Sequence, residues 1–391
     1  MTITIGILAG EASGDNLGAG LMAALRLRHS DLRFVGIGGS RMQAEGLQSL
    51  ASMELLAVNG FKDPILKLPK LVRLLLDLRR FFSANPPAVF IGVDFNVFNL
   101  LLENLLKRRG IATVHYVSPS VYAWRRGRVK RISRSADTLL ALYPFEAEFY
   151  ADTEVDVRFV GHPMADAIAL DAGDAAGREA ARRELQLAGD GPLIAILPGS
   201  RTSEIEHLLE RFLEAATLIA ETLDGVRFVV PCMRKSIEAQ VLAALALRPS
   251  LVVTTYHGDA RLALTACDAA IVKSGSSTLE AMLLRRPMVV SYRLGYWTAL
   301  IARWLVRTEF VALPNILAGE QLVPELLQEA ATPERLAENL LEQLDKAQRQ
   351  PEYLARFEEL HRQLKRDANE RAADAVDAVL AVRTQEGNGA V

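Results

Sequence analysis

Short apolar segments alternate with amphipathic helical stretches along almost all of this chain, and a chain patterned this way has few folds open to it. Strand-like runs at Thr2–Ala9, Leu32–Ile37, Ala88–Val93, Ile111–Val117, Thr138–Leu142 and Val157–Val160 are separated by helical patterns at Leu17–Leu27, Pro69–Phe82, Asn99–Arg109 and Arg128–Ser135. A second series begins at Leu193–Leu197 and continues through Arg227–Val230, Leu251–Thr255, Ala269–Val272 and Met288–Tyr292, again with helices between. Strands that alternate with helices pair in parallel, because only a crossover helix can return the chain to the start of the next strand. Between Gly161 and Pro192 the composition shifts to Ala, Asp, Gly and Arg, which marks a domain boundary. The expected architecture is therefore α/β, with two Rossmann-like domains facing across a cleft. The first covers residues 1–165, the second 190–350, and helices over 351–391 return to pack on the first.

Bulk properties exclude several classes. A net charge of −2 lacks the broad basic surface of a general nucleic-acid binder. The two cysteines, Cys232 and Cys267, form no framework, and the histidines do not cluster at metal-ligand spacing, so neither a metal nor a cofactor is expected. The apolar start Met1-Thr-Ile-Thr-Ile-Gly-Ile-Leu8 reads as a first strand, and the reduced thiols fit a cytoplasmic protein. The region Ile65–Phe82 carries charges at Lys67, Lys70, Arg73, Asp77 and Arg80, one helical stripe beside an oversized apolar face. A membrane span needs about 20 largely uncharged residues, so this helix does not cross a bilayer. It fits a helix lying in a membrane surface, or a core helix with one wet side.

Two loops of the second half suit a nucleotide diphosphate. Leu193–Leu197 runs into Pro198-Gly-Ser-Arg201 and then a helix; Gly199 lets backbone approach a ligand, Ser200 brings a hydroxyl, and Arg201 can grip phosphate through two parallel bonds. The bland alternative is a capped strand-to-helix turn. Ile271-Val-Lys-Ser-Gly-Ser-Ser-Thr-Leu-Glu280 repeats the pattern, with Ser274, Gly275 and Thr278 before or within a helix start and Glu280 placed to accept from ribose hydroxyls or to sit in the helix macrodipole. No dinucleotide fingerprint or Walker lysine is present.

The first half supplies acids. Asp94 ends the apolar strand Ala88–Val93, where open α/β sheets place reactive groups; its alternative role is to cap the next helix. Glu11 and Asp15 are second-rank candidates, with Ser13 a helix cap. Ser118-Pro-Ser-Val-Tyr-Ala-Trp-Arg125 is a stiff loop after a strand, built to hold Tyr122, Trp124 and Arg125 in place. Six cations within Arg125–Arg134 either line a solvated helix face or attract an anionic lipid.

These segments together resemble the lipid-A-disaccharide synthase family. The matching strings are Ala9-Gly-Glu-Ala-Ser-Gly-Asp15, Phe34-Val-Gly-Ile-Gly-Gly39, Arg41-Met-Gln-Ala-Glu-Gly46 and His115-Tyr-Val-Ser-Pro-Ser-Val-Tyr-Ala-Trp-Arg125, followed by Leu197-Pro-Gly-Ser-Arg201, Lys273-Ser-Gly-Ser-Ser-Thr-Leu-Glu280 and Leu313-Pro-Asn-Ile-Leu-Ala-Gly319. The resemblance implies a GT-B glycosyltransferase that moves 2,3-diacylglucosamine from UDP-2,3-diacylglucosamine to 2,3-diacylglucosamine 1-phosphate, giving a β(1→6) lipid A disaccharide and UDP. It places the catalytic aspartate on Asp94 and UDP contacts on Ser200, Arg201, Ser274, Gly275, Thr278, Glu280 and Asn315. It also favours the membrane reading of the 65–82 helix, at the cytoplasmic surface of the inner membrane, and leaves a homodimer open.

Two departures stand out. Asn96 and Val97 occupy the places where this family usually carries Pro and a second Asp, and Tyr122 replaces a usual Trp. The rival readings are another UDP-sugar enzyme of the same architecture, such as an epimerase, and a non-catalytic membrane-surface protein.

Overall fold

The computed structural model describes residues 2–56, 63–119, 129–187, 191–293 and 309–388, with only the backbone described at 63–67 and 383–388. Two compact units divide the chain: residues 1–166 with 364–391, and residues 167–363.

The first unit is built on a seven-stranded sheet, every pairing parallel. Its strands are β1 (Ile3–Ala9), β2 (Leu32–Ile37), β3 (Leu47–Ser49), β4 (Val89–Val93), β5 (Ala112–Tyr116), β6 (Thr138–Ala141) and β7 (Asp156–Phe159), in the spatial order β3-β2-β1-β4-β5-β6-β7. The central strands are apolar runs rather than alternating ones because helices cover both faces, and β4 and β5 are buried at every position. The strand order reverses between β1 and β4, which opens a crevice at their carboxyl ends.

The second unit repeats the scheme with six parallel strands: β8 (Leu193–Leu197), β9 (Arg227–Cys232), β10 (Val253–His257), β11 (Ala269–Lys273), β12 (Met288–Tyr292) and β13 (Glu325–Leu327). Their order is β10-β9-β8-β11-β12-β13, and the reversal falls between β8 and β11.

The unit boundaries differ from the expected ones in two places. The stretch between Gly161 and Pro192, expected as a boundary, contains a ten-residue helix, Ala175–Glu184, that belongs to the second unit. Arg178 and Arg182 donate to Asp268 at 3.1 and 2.6 Å, and Arg182 also donates to Ala266 O. The C-terminal helices do not act together either. Pro351–Leu364 stays with the second unit through residue 363, where Glu358 accepts from Arg285 at 3.2 Å and Phe357 is buried. The last helix, Ala368–Asn388, belongs to the first unit. Asp166 caps its start by accepting from the N–H groups of Arg366, Asp367 and Ala368, while Ala372, Ala375 and Val376 join the core beside β1 and β4.

Helix Asp63–Ala84 contains Pro69 and covers the first sheet with one face only. Leu78 and Phe82 are buried, and Leu71, Leu74, Leu75 and Phe81 pack against the same cluster. Leu68, Val72 and Leu76, four residues apart, are exposed. Among the described residues no helix is long and apolar enough to cross a membrane.

Candidate functional site

The loops after β1 and β4 meet at the reversal point of the first sheet. Asp94 and Phe95 both adopt left-handed backbone, with φ of 50° and 47°. Non-glycine residues pay for that conformation and keep it only where surroundings enforce it. Here the buried Asn99 enforces it: its side-chain N–H₂ donates to Asp94 O at 2.7 Å and is also within reach of Val93 O and Leu8 O. The half-buried Asp94 carboxylate is thereby turned outward. Ser13 Oγ donates to one oxygen at 3.2 Å and Asn96 Nδ2 to the other at 3.3 Å. An acid held by one neutral donor on each oxygen, with its remaining lone pairs open, has the geometry of a general base.

The other two acids of this loop part company. Glu11 is exposed at the N-cap position of helix Ala12–Arg28, without a side-chain capping bond. Asp15 has a role in the fold itself. It is buried and accepts from the N–H groups of Gly39, Arg41 and Met42, so its carboxylate clamps the start of helix Ser40–Ala44 and has little capacity left for chemistry. Val97, which stands where a second acid was usual, is 68% exposed and offers no polar group. Tyr122, Trp124 and Arg125 lie outside the described residues. The approach to their loop is anchored by buried Ser118, whose Oγ lies 2.8 Å from Tyr150 Oη.

Behind Asp94 lies a polar pair that sequence reading missed. His115 on β5 and Glu103 on helix Asn96–Lys107 are fully buried, with Nδ1 and Oε1 2.7 Å apart. The other ring nitrogen of His115 lies 3.0 Å from Asn96 Oδ1. Burial pushes the Glu103 carboxyl above its usual range, and the imidazole beside it pulls the other way. Gly92 makes room for the pair, since a Cβ there would collide with Glu103 Oε1. The signal was present as a histidine inside the strand-like run Thr113–Val117.

At the reversal point of the second sheet the loops after β8 and β11 enclose a cavity of about 120 Å³. Pro198, Gly199 and Ser200 form one wall, and Lys273, Gly275, Ser276 and Ser277 another. Gly199 has φ of +130°, and a side chain there would run into Glu204. Glu204 Oε2 accepts from the N–H groups of Ser200 and Arg201 at 3.0 and 3.3 Å. Its other oxygen lies 3.0 Å from Lys273 Nζ. Burial alone would raise this carboxyl, but the ammonium and the two N–H donors hold it below the usual range. The turn's N–H groups, expected to face a phosphate, are thus already bonded to Glu204. What faces outward is the Arg201 side chain, 77% exposed, and the Ser276 end of helix Ser276–Leu283, where the Thr278 N–H donates to Gly275 O at 3.1 Å and those of Ser276 and Ser277 stand ahead of the helix's own hydrogen-bond ladder.

The remaining second-unit candidates separate by where their polar atoms point. Glu280 is half-buried and accepts from Arg261 at 3.4 Å. Ser274 Oγ donates to Val311 O, and the buried Thr278 hydroxyl donates to Gly275 O at 2.7 Å. Asn315 is buried, donating to Val323 O and Glu325 Oε1 and accepting from the N–H groups of Leu322 and Val323, all at 2.8 Å. In this structure Ser274 and Thr278 brace the loop after β11, while Asn315 braces the segment Leu322–Glu325.

Two all-parallel sheets of Rossmann order, each with polar loops at its reversal point, give this chain the GT-B fold. Solved structures agree on the fold: a kitacinnamycin glycotransferase superposes with a TM-score of 0.64 at 17% identity, over 97% of this chain and 99% of the other. The UDP-GlcNAc 2-epimerase from Neisseria meningitidis, bound to UDP-GlcNAc, does so with a TM-score of 0.60 at 12% identity, over 97% of this chain and all of that one. The chain belongs to the lipid-A-disaccharide synthetase family, whose model matches residues 5–376. The lipid-A-disaccharide synthase of Pseudomonas putida strain W619 is 49% identical over 378 residues, 97% of this chain and 98% of that protein. The enzyme of the same name from Pseudomonas aeruginosa strain UCBPP-PA14 is 46% identical over 374 residues, 96% of this chain and 97% of that protein.

Proposed function

We propose that this enzyme transfers 2,3-diacylglucosamine from UDP-2,3-diacylglucosamine to the 6-hydroxyl of 2,3-diacylglucosamine 1-phosphate, forming the β(1→6) disaccharide 1-phosphate and releasing UDP. The observation that carries this reading is the Asp94 carboxylate, turned outward on a left-handed backbone and held by Ser13 and Asn96, in a chain matched to the family from residue 5 to 376. Asp94 takes the proton of the acceptor hydroxyl as that oxygen attacks the anomeric carbon in line with the departing diphosphate. The charge that develops on UDP is met by Arg201, Lys273 and the N-terminus of helix Ser276–Leu283 around the second-unit cavity. Ser200 and Gly275 line that cavity, and Glu280 accepts from the ribose.

The two substrates carry acyl chains, and the exposed stripe Leu68, Val72 and Leu76 supplies an apolar surface for the bilayer that holds them. The enzyme then works as a peripheral protein on the cytoplasmic face of the inner membrane.

The test is UDP release by purified protein given UDP-2,3-diacylglucosamine, with and without the monosaccharide 1-phosphate, beside Asp94→Asn. Release that requires both lipids and collapses in the variant is expected. Release without the acceptor would replace the transferase reading with a hydrolase or epimerase.

A further inference from the structure

We infer that Glu103, His115 and Asn96 form a buried positioning chain that sets the orientation of the Asp94 carboxylate. This rests on Asp94 acting as the base and adds three residues that work through it.

The chain runs inward from the loop. Asn96 Nδ2 donates to Asp94 Oδ1 at 3.3 Å, Asn96 Oδ1 lies 3.0 Å from His115 Nε2, and His115 Nδ1 lies 2.7 Å from Glu103 Oε1. Burying a carboxylate–imidazole pair contributes little net stability, because desolvation offsets the attraction between the partners. An apolar pair would fill the same space without that cost. Two further features mark the arrangement as costly. Gly92 leaves out a side chain in mid-strand to admit Glu103, and Glu103 Oε2 has no hydrogen-bond partner among the described residues.

Proton logic shows what the pair achieves. A carboxylate oxygen of ionised Asp94 only accepts, so the Asn96 group facing it must be the NH₂. Asn96 Oδ1 then faces His115 Nε2, which must carry a hydrogen. That holds wherever the proton between Nδ1 and Glu103 resides, because a neutral ring protonated at Nε2 and a fully protonated ring both donate there. Without this donor the amide can turn over at small cost and set its oxygen against the carboxylate. An amide side chain is a poor proton carrier, so the chain orients Asp94 rather than draining its proton. With Oδ1 fixed by Asn96 and Oδ2 by Ser13, the open lone pairs of the base keep one direction toward the acceptor hydroxyl.

The experiment is a double-mutant cycle on the full-length enzyme, with kcat and both KM values measured in mixed micelles of the two lipid substrates. Asn96→Ala and His115→Phe each lower kcat on the order of 10-fold or more while both KM values stay within about 2-fold, the pattern of lost alignment rather than lost binding. The double variant is no slower than the slower single one, because both changes break the same chain. Glu103→Gln, whose amide can still donate to Nδ1, recovers most of what Glu103→Leu loses. Because His115→Phe and Glu103→Leu alter the core, Asn96→Ala with its melting temperature measured carries the decisive comparison. If it keeps kcat within about 2-fold of wild type while Asp94→Asn is inactive, the positioning chain is wrong and the base stands. Multiplicative loss in the double variant overturns it as well. If Asp94→Asn itself retains activity, the base reading falls first.

Discussion

Lys273 Nζ lies 3.0 Å from Glu204 Oε1, while the second oxygen of that carboxylate is held by the N–H groups of Ser200 and Arg201. Glu204 lies in the first turn of helix Thr202–Thr222, which follows β8, and Lys273 ends the neighbouring strand β11; both line the cavity, so a carboxylate stands beside the place proposed for the diphosphate. It organises the turn and holds a lysine ready, and it also opposes incoming negative charge.

Opposite substitutions at this pair separate those effects. Lys273→Met raises KM for the UDP-sugar about 10-fold or more, the value of one charge-assisted hydrogen bond, and leaves KM for the acceptor unchanged. Glu204→Gln keeps an acceptor for the two N–H groups but removes the negative charge, so UDP binds several-fold more tightly, measured by calorimetry. Weaker UDP binding in Glu204→Gln would mean that the carboxylate serves the ligand only by ordering the turn.

Arg28 ties the last helix to the first unit. Its guanidinium donates to Glu370, Asp374 and Asp377 at 2.7, 2.6 and 3.0 Å, and the three acids raise its pKa further. The acids are partly exposed, so solvent discounts the network. Arg28→Ala is expected to cost about 1 kcal/mol at low salt and less at high salt. Val376→Asp places a charge in the core and detaches the helix outright. Hydrogen exchange across residues 368–382 distinguishes the two: a modest, salt-dependent rise for Arg28→Ala, and loss of protection for Val376→Asp.

The two-domain α/β plan was legible because strands buried on both faces leave unbroken apolar runs such as Val89–Val93 and Leu193–Leu197. The switch-point loops were legible for a related reason, since Gly, Ser and Asp at a strand's end announce a turn with work to do. Strands β3 and β13 were missed because three residues are too few to show a period. The Glu204–Lys273 pair was hidden by 69 residues of separation (273 − 204) and by a strand order that no local pattern encodes. The fold-internal bonds of Asp15 and Asn315 were not legible for one shared reason. A polar residue in a functional-looking motif can spend all its hydrogen bonds inside the fold, and only the partners reveal it.

Glu146 predicts a pH dependence of stability. It is 2% exposed, and burial pushes its carboxyl up to about 8, against the pull of the N–H groups of Tyr143 and Leu142. In the unfolded chain the same group releases its proton near 4.5. Between those values the folded state binds more protons, so this group's contribution is present at low pH and lost as pH rises from about 4.5 to about 8. Glu146→Gln removes that dependence. Urea midpoints at the two ends of the window should show wild type losing stability relative to the variant on the order of a few kcal/mol. Parallel pH curves would show that the carboxyl is ionised and satisfied throughout.

The exposed stripe of helix Asp63–Ala84 makes the membrane proposal testable without touching the core. Leu68, Val72 and Leu76 are exposed, while Leu78 and Phe82 are buried and hold the helix to the sheet. Changing the three exposed residues to Ser should therefore leave the melting temperature unchanged, together with UDP affinity, whose proposed site lies in the other unit. Burying each aliphatic side chain in the acyl boundary contributes up to about 1.5–3 kcal/mol, discounted here because the three already touch protein in part. Partitioning onto vesicles of anionic phospholipid should fall on the order of 10- to 100-fold. Arg73 and Arg80 flank the stripe, with Asp77 only 3.9 and 3.7 Å away, so Arg73→Glu with Arg80→Glu should weaken partitioning in low salt and matter little in high salt. If the triple Ser variant partitions like wild type while the charge reversals abolish binding, the helix reads lipid headgroups and its apolar stripe faces something other than a bilayer.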